Sequence, residues 1–296
     1  MRVALLAVLA LLILHPAGAA ASGGCAPLKP TLVSEVPGEV GLHQPAPGQW
    51  YLVFRAGMTN EGRGPLRIVG KRKRAGAPMR SQQVLNCSSP TQAIKRNIGI
   101  GAMQFSRQPT HEHFHLRDIE RYRLFSLADG TYENSFKRGF CMGDSYDPGI
   151  MIANKPAVGG FDGDLGSACG QAHPEALRIV EGLSVGWGDY YSPLVEGQYV
   201  DLTGLPEGDY RVVTELDPFQ RLIVGSRERS VGGADFHLSY PDGTDATPEA
   251  NITGSCNTRV TCASRLPWTS FVDDDGSAGL GRSQPILGGQ LAETRR

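Results

Sequence analysis

Three of the chain's seven histidines fall within five residues, at His111, His113 and His115 in the run Thr110-His-Glu-His-Phe-His-Leu116. Alternate side chains of a β-strand share a face, with same-face positions about 7 Å apart, so imidazoles at this spacing can converge on one bound ion. Imidazole suits copper, zinc, iron and nickel alike, and no cysteine stands close in sequence to argue for a thiolate site. The ligand type therefore predicts a transition metal without choosing among them. The plainer alternative is a solvated polar strand.

The strand that carries these histidines is expected to lie outside the cytosol. Arg2 is followed by an apolar run from Val3 to Leu14 and then by small residues from Ala17 to Gly24, the order of regions in a secretory signal peptide. The run is too short for a permanent membrane helix, which needs about 20 apolar residues. Residues 1–24 are read as the signal peptide, and no later stretch is apolar enough to be a transmembrane segment. Cys25, after Ser22-Gly-Gly, admits lipid anchoring as a second reading, disfavoured because Ser stands where such signals usually have Leu. Six cysteines, an even number, predict disulfides in an oxidising compartment. Cys256 and Cys262 are near enough to close a local loop and Cys141 and Cys169 to clamp the middle of the chain, which leaves Cys25 for Cys87. This is one of many allowed pairings. No Cys-x-x-Cys occurs, which excludes thioredoxin-like redox chemistry.

The formal charge of −1 argues against nucleic acid, which needs a clustered excess of Lys and Arg. The one basic run, Lys71-Arg-Lys-Arg74, reads as a solvated loop tip in preference to a polyanion-binding patch. The 38 glycines and 20 prolines punctuate the chain as short strands and turns require. Trp50 to Arg55, the turn Asn60-Glu-Gly62 and Pro65 to Val69 predict a hairpin. Ile119 to Leu127 predicts a strand ending at Asp129-Gly130. Tyr199 to Thr203 and Tyr210 to Leu216 flank Pro206-Glu-Gly-Asp209 as a further strand pair, and Phe236 to Tyr240 is a last strand before Pro241-Asp-Gly243. Pro174 to Glu181 is the one helix candidate. The expected fold is an all-β sandwich with long loops and little helix. Residues 25–240 form its single domain, and 241–296 form a poorly packed tail pinned at Cys256 and Cys262.

Five segments follow one another in an order that resembles the catalytic domain of lysyl oxidases. They are His111-Glu-His-Phe-His115, Ser135-Phe-Lys-Arg-Gly-Phe-Cys141, Gly182-Leu-Ser-Val-Gly-Trp-Gly-Asp-Tyr-Tyr191, Gln198-Tyr-Val-Asp-Leu-Thr203 and Pro206-Glu-Gly-Asp-Tyr210. The similarity runs from about Trp50 to Tyr240, and its specificity lies in the ordered set. It implies a lysyl oxidase-like copper domain in which His111, His113 and His115 hold copper(II), and Lys137 and Tyr191 cross-link to form lysine tyrosylquinone. The implied activity is oxidation of primary amines, peptidyl lysine or small amines, to aldehydes, with molecular oxygen as acceptor and release of ammonia and hydrogen peroxide. Asp189, on the same strand face as Tyr191, is the candidate base for the α-proton, with a turn-forming role as its alternative. An apolar setting for Lys137, between Phe136 and Gly-Phe-Cys141, favours the neutral amine that the cross-link needs. Thr110, Trp187 and Gly197 stand where animal members have cysteines, and the stretch between Gly225 and Ala234 has no acidic, Asn-rich counterpart. Collagen and elastin specificity is therefore not implied.

Rival readings come from other classes. A secreted copper-binding protein without catalysis would use the same histidines and leave Lys137 unmodified, and a zinc hydrolase would retain zinc without colour. Gly182-Leu-Ser184-Val-Gly186 matches a hydrolase nucleophile pattern with His237 downstream, but Trp187-Gly188 and Ser192-Pro193 oppose the helix that must follow such an elbow. His173 and His237 are open as a fourth metal ligand.

Overall fold

A computed structural model describes residues 25–88, 92–107, 112–130, 132–136, 139–160, 168–193, 195, 197–244 and 246–264. The signal-peptide reading, the end of the tail, His111 and Lys137 lie outside the described residues. The chain enters through β1 (Leu32–Ser34), β2 (Gly38–His43) and β3 (Tyr51–Asn60). β4 (Leu66–Lys71), β5 (Arg80–Asn86) and β6 (Ala93–Ile100) follow. Short β7 (Met103–Phe105) and β8 (Phe114–Leu116) precede β9 (Glu120–Ser126) and β10 (Tyr132–Phe136). The later chain supplies β11 (Arg178–Leu183), β12 (Gly188–Tyr191), β13 (Tyr199–Asp201), β14 (Gly208–Leu216), β15 (Val231–Ser239) and β16 (Glu249–Cys256). One helical turn, α1 (Arg259–Ala263), is capped by Thr258, whose hydroxyl accepts the Thr261 amide.

All the pairings are antiparallel, and the architecture is the expected all-β one. One sheet gathers β1, β2, β12 and β13 around β3, a second runs β10-β9-β14-β15-β16, a third runs β11-β4-β5-β6, and β7 and β8 form a ribbon. Alternation along β3 explains its central place. Leu52, Phe54 and Ala56 turn inward against Tyr122, Leu124, Val212 and Phe236 of the second sheet. Met58, further along the same face, enters another core with Leu66, Ile68, Met103, Phe114, Leu116, Phe140 and Ile179.

Local expectations fare unevenly. The strand at Ile119–Leu127 is β9, joined at Asp129-Gly130 to β10 as a hairpin, with Gly130 at φ 73°. The expected hairpin from Trp50 to Val69 is absent, because β3 and β4 belong to different sheets. Their turn is held by the buried Asn60. Its Oδ1 accepts from Thr31 and Gly62 N–H at 3.1 and 3.0 Å, and its Nδ2 donates to Gly64 and Leu183 carbonyls at 3.0 and 3.1 Å. Likewise β13 pairs with β3 while β14 lies between β9 and β15, so they are not partners. The helix candidate Pro174–Glu181 is overruled by a six-residue ladder between β11 and β4. Part of the expected tail is built in: β16 extends the second sheet along β15, and its largely exposed side chains reflect an edge strand.

The disulfides are Cys25–Cys87, Cys141–Cys169 and Cys256–Cys262, the pairing expected from spacing. No helix among the described residues is long and apolar enough to cross a membrane.

Replacing Asn60 with Ala strands three buried backbone groups and the half-buried Thr31 amide at once. At about 1–3 kcal/mol for each unsatisfied group that water fails to reach, the substitution is expected to lower stability by at least about 3 kcal/mol, read as the drop in the denaturant midpoint at unchanged m-value.

Candidate functional site

The histidine strand is fixed from both sides. On one edge β7 pairs with β8, setting Gln104 opposite His115 and Met103 opposite Leu116. On the other edge Leu116 and Phe140 exchange backbone hydrogen bonds at 2.9 and 3.1 Å. Phe114 and Leu116 point into the core, and alternation puts His113 and His115 together on the opposite side. Both are almost sealed from solvent, 8 % and 6 % exposed, and their Nε2 atoms stand 2.7 Å apart. Imidazole nitrogens that share one metal at about 2.0–2.1 Å stand roughly 3 Å from each other, so the pair fits two ligands of a single ion. It also fits an N–H···N hydrogen bond between neutral rings. His111, the third expected ligand, lies outside the described residues, and among the described residues no third His, Cys, Asp or Glu completes a metal-sized group.

The strand next to the histidines is the continuation of the segment that contains Lys137. A Cβ on Gly139 would meet the Cβ of His115 at 2.5 Å, so only glycine lets the two strands approach this closely. Two residues on, the Cys141 amide donates to the Tyr191 hydroxyl at 3.0 Å, and the Tyr191 ring lies 4.1 Å from that of Phe140 between centroids. Tyr191 ends β12, which β3 holds in place through Tyr191↔Ala56. The Cys141–Cys169 bond ties the same segment to a 3-10 turn at Ala168–Gly170. That turn leads to Ala172, whose N–H bonds the carbonyl of Glu112 at 2.7 Å. Of the sequence-predicted site residues, the fold thus brings His113, His115, Tyr191 and the run following Lys137 into one neighbourhood.

Asp189 shares the strand and face of Tyr191. Its Oδ2 accepts the Gly143 amide at 3.0 Å and its Oδ1 the Tyr190 amide at 2.9 Å. These contacts anchor the segment after Cys141. Beside it lies a residue that sequence reading missed, Glu181. It is 1 % exposed, and its Oε2 accepts the Met142 amide, the one preceding Gly143, at 3.1 Å. Burial, reinforced by the charge of Asp189, holds its carboxyl well above the ordinary range despite the amide contacts. Behind Tyr191 the Gln198 side chain donates to the Tyr191 carbonyl at 3.1 Å and bonds the Tyr122 hydroxyl. That hydroxyl also lies 2.9 Å from the Glu120 carboxylate. Tyr122 is fully buried, and burial, then Glu120, pushes its phenol well above the usual range. Neither Glu181 nor Tyr122 carries a local signal, since a glutamate in a helix candidate and a tyrosine on a strand look ordinary until the sheets are assembled.

The other candidates are not gathered here. His173 bonds the exposed Glu175 and His237 bonds Asp209 at 2.8 Å. Ser184 lies just after β11, its hydroxyl accepting from Gly160 N–H, and a turn and strand β12 follow instead of a helix. The hydrolase reading thus lacks its strand–elbow–helix frame. Compared with family models and with curated proteins, the chain matches none.

Two tests follow from this geometry. Gly139→Ala is expected to displace His115 and to weaken metal binding at least about tenfold, the scale of lost ligand support, as measured by calorimetric copper titration, while circular dichroism stays that of the native fold. A carboxyl whose folded pKa lies above its unfolded value contributes stability in acid and loses it as pH rises through the folded pKa. Glu181→Gln is therefore expected to flatten the decline of the melting temperature from mildly acid into alkaline solution. A parallel decline in both proteins would contradict the assignment.

Proposed function

We propose that the chain is a secreted, copper-dependent amine oxidase that makes its own quinone from Lys137 and Tyr191 and converts primary amines to aldehydes. The observation that carries this reading is the junction of β8, the Gly139–Cys141 run and Tyr191: two buried histidines on one face, the segment that begins at Lys137, and a phenol held by a backbone donor. His113 and His115, with His111, would hold copper, which supplies the redox chemistry with oxygen that oxidation of a tyrosine ring demands.

The chain's own groups supply the remainder. The Cys141 amide and the Phe140 ring fix the phenol of Tyr191, while Gln198 fixes its backbone. Asp189, held by Gly143 and Tyr190 amides, is the base that takes the proton from the substrate α-carbon. Burial raises the pKa of Glu181 beside it, which disfavours a second negative charge there. The low exposure of His113 and His115 would limit water around a metal held there and so strengthen its electrostatic contacts. Three disulfides accord with an oxidising compartment, and the apolar N-terminal run with export.

Peptide mass spectrometry of protein expressed with copper and oxygen decides the matter. A tryptic species in which Lys137 is covalently joined to Tyr191 is expected, and it should vanish in Tyr191→Phe. Copper-loaded protein with both residues unmodified would instead identify a copper-binding protein without oxidase activity.

A further inference from the structure

The sheet that backs the histidine strand carries a feature that neither metal nor quinone uses. Its inner face, through Leu66, Ile68 and Ile179, packs the core. On its outer face, strand registers place Arg178 directly opposite Lys71 and Lys71 directly opposite Arg80. All three are exposed. Directly opposed side chains have Cβ atoms about 4.5–5.5 Å apart, and like charges at that separation destabilise a sheet. The β4–β5 turn adds exposed Lys73 and Arg74 at the same end, and Lys95 lies on the same face further along. The only carboxylate in the four strands is Glu181, buried on the inner face. A chain of formal charge −1 thus concentrates exposed cations at one sheet end, with the exposed Glu175 at its border.

We infer that the Arg178–Lys71–Arg80 row and the adjoining turn form a docking surface for a linear acidic polysaccharide. A flat strand face with cations in a row suits a polymer bearing carboxylate or sulfate groups at intervals, which guanidinium and ammonium groups contact as point charges and forks. Nucleic acid is the weaker match. The outward positions of these strands hold no aromatic side chain on which a base stacks, and among the described residues no helix projects beside them to enter a groove. The disulfides place the chain's chemistry in the oxidising compartments where cell-surface and matrix polysaccharides occur. Binding there would fix the protein to a surface through the back of the site, and it is independent of the amine oxidase reading.

The test is surface plasmon resonance of the full chain on immobilised heparin and polygalacturonate, with a mixed-sequence DNA duplex as the comparison. Binding to at least one polysaccharide is expected, weakening steeply as salt is raised. At about 1 kcal/mol for each cation near an anionic surface, Lys71→Gln with Arg80→Gln should lower the affinity roughly 30-fold, while Lys29→Gln leaves it unchanged. The double variant should melt no lower than the parent, since an opposed pair of like charges is relieved, and this separates lost docking from lost folding. No retention on either polysaccharide at low salt, equal binding by the double variant, or tighter binding to DNA would each overturn the inference.

Discussion

The two backbone hydrogen bonds exchanged between Leu116 and Phe140 are the contact on which the site depends. They join a strand rich in histidine to the run that follows Lys137, segments more than twenty residues apart in sequence, and they set the register of everything nearby. Given that register, His115 must face position 139, where only a hydrogen atom fits. Cys141 must present its amide to Tyr191, and the Met142 and Gly143 amides must meet Glu181 and Asp189. A one-residue slip would exchange inward and outward faces along the strand, burying Arg117 or Glu112 in place of Leu116 or His113.

The register is held from a distance. β3 serves two cores at once, so the sheet that positions Tyr191 is locked to the sheet of β9 and β14 by Phe54 against Tyr122, rings 4.9 Å apart and nearly perpendicular. On the far face of that second sheet Glu215 receives Arg121 at 2.7 Å and Arg259 at 2.9 Å, and Arg211 binds Asp235 at 2.9 Å. Buried ion pairs add little net stability over apolar packing, yet breaking one is severe. They resist any rearrangement of β9 against β14, and β9 carries Tyr122 and Glu120 to the back of Tyr191.

What could be read in the sequence was local. The placing of His113 and His115 on one face needs only strand alternation, and loop lengths suggested the cysteine pairing found here, one among many that were allowed. Strand partnership was not legible, because Asn60-Glu-Gly62 is an adequate turn whether the strands it joins pair or part into different sheets. Pro174 to Glu181 has helical spacing, but Ile179 and Val180 gain more by laddering on β4 than a short helix offers. Gly139 and Glu181 were silent for another reason. Their roles consist of a distance to something far away in sequence, a Cβ in one case and an amide in the other, and no pattern of neighbours encodes that distance.

A protein that only held a metal would need the histidine strand and little else. Yet beside that strand a glutamate, an aspartate and a tyrosine are withdrawn from water, each on backbone or side-chain partners. Burying such groups costs several kcal/mol unless they are bonded, and apolar residues of the same size would stabilise the core more simply. The two carboxyls sit in different environments, Glu181 with its pKa raised by burial and Asp189 bound by two amides, and such a difference is what acid–base chemistry would use on the proposed reading. On the proposed reading, these buried and bonded groups are the ones that turnover would draw on.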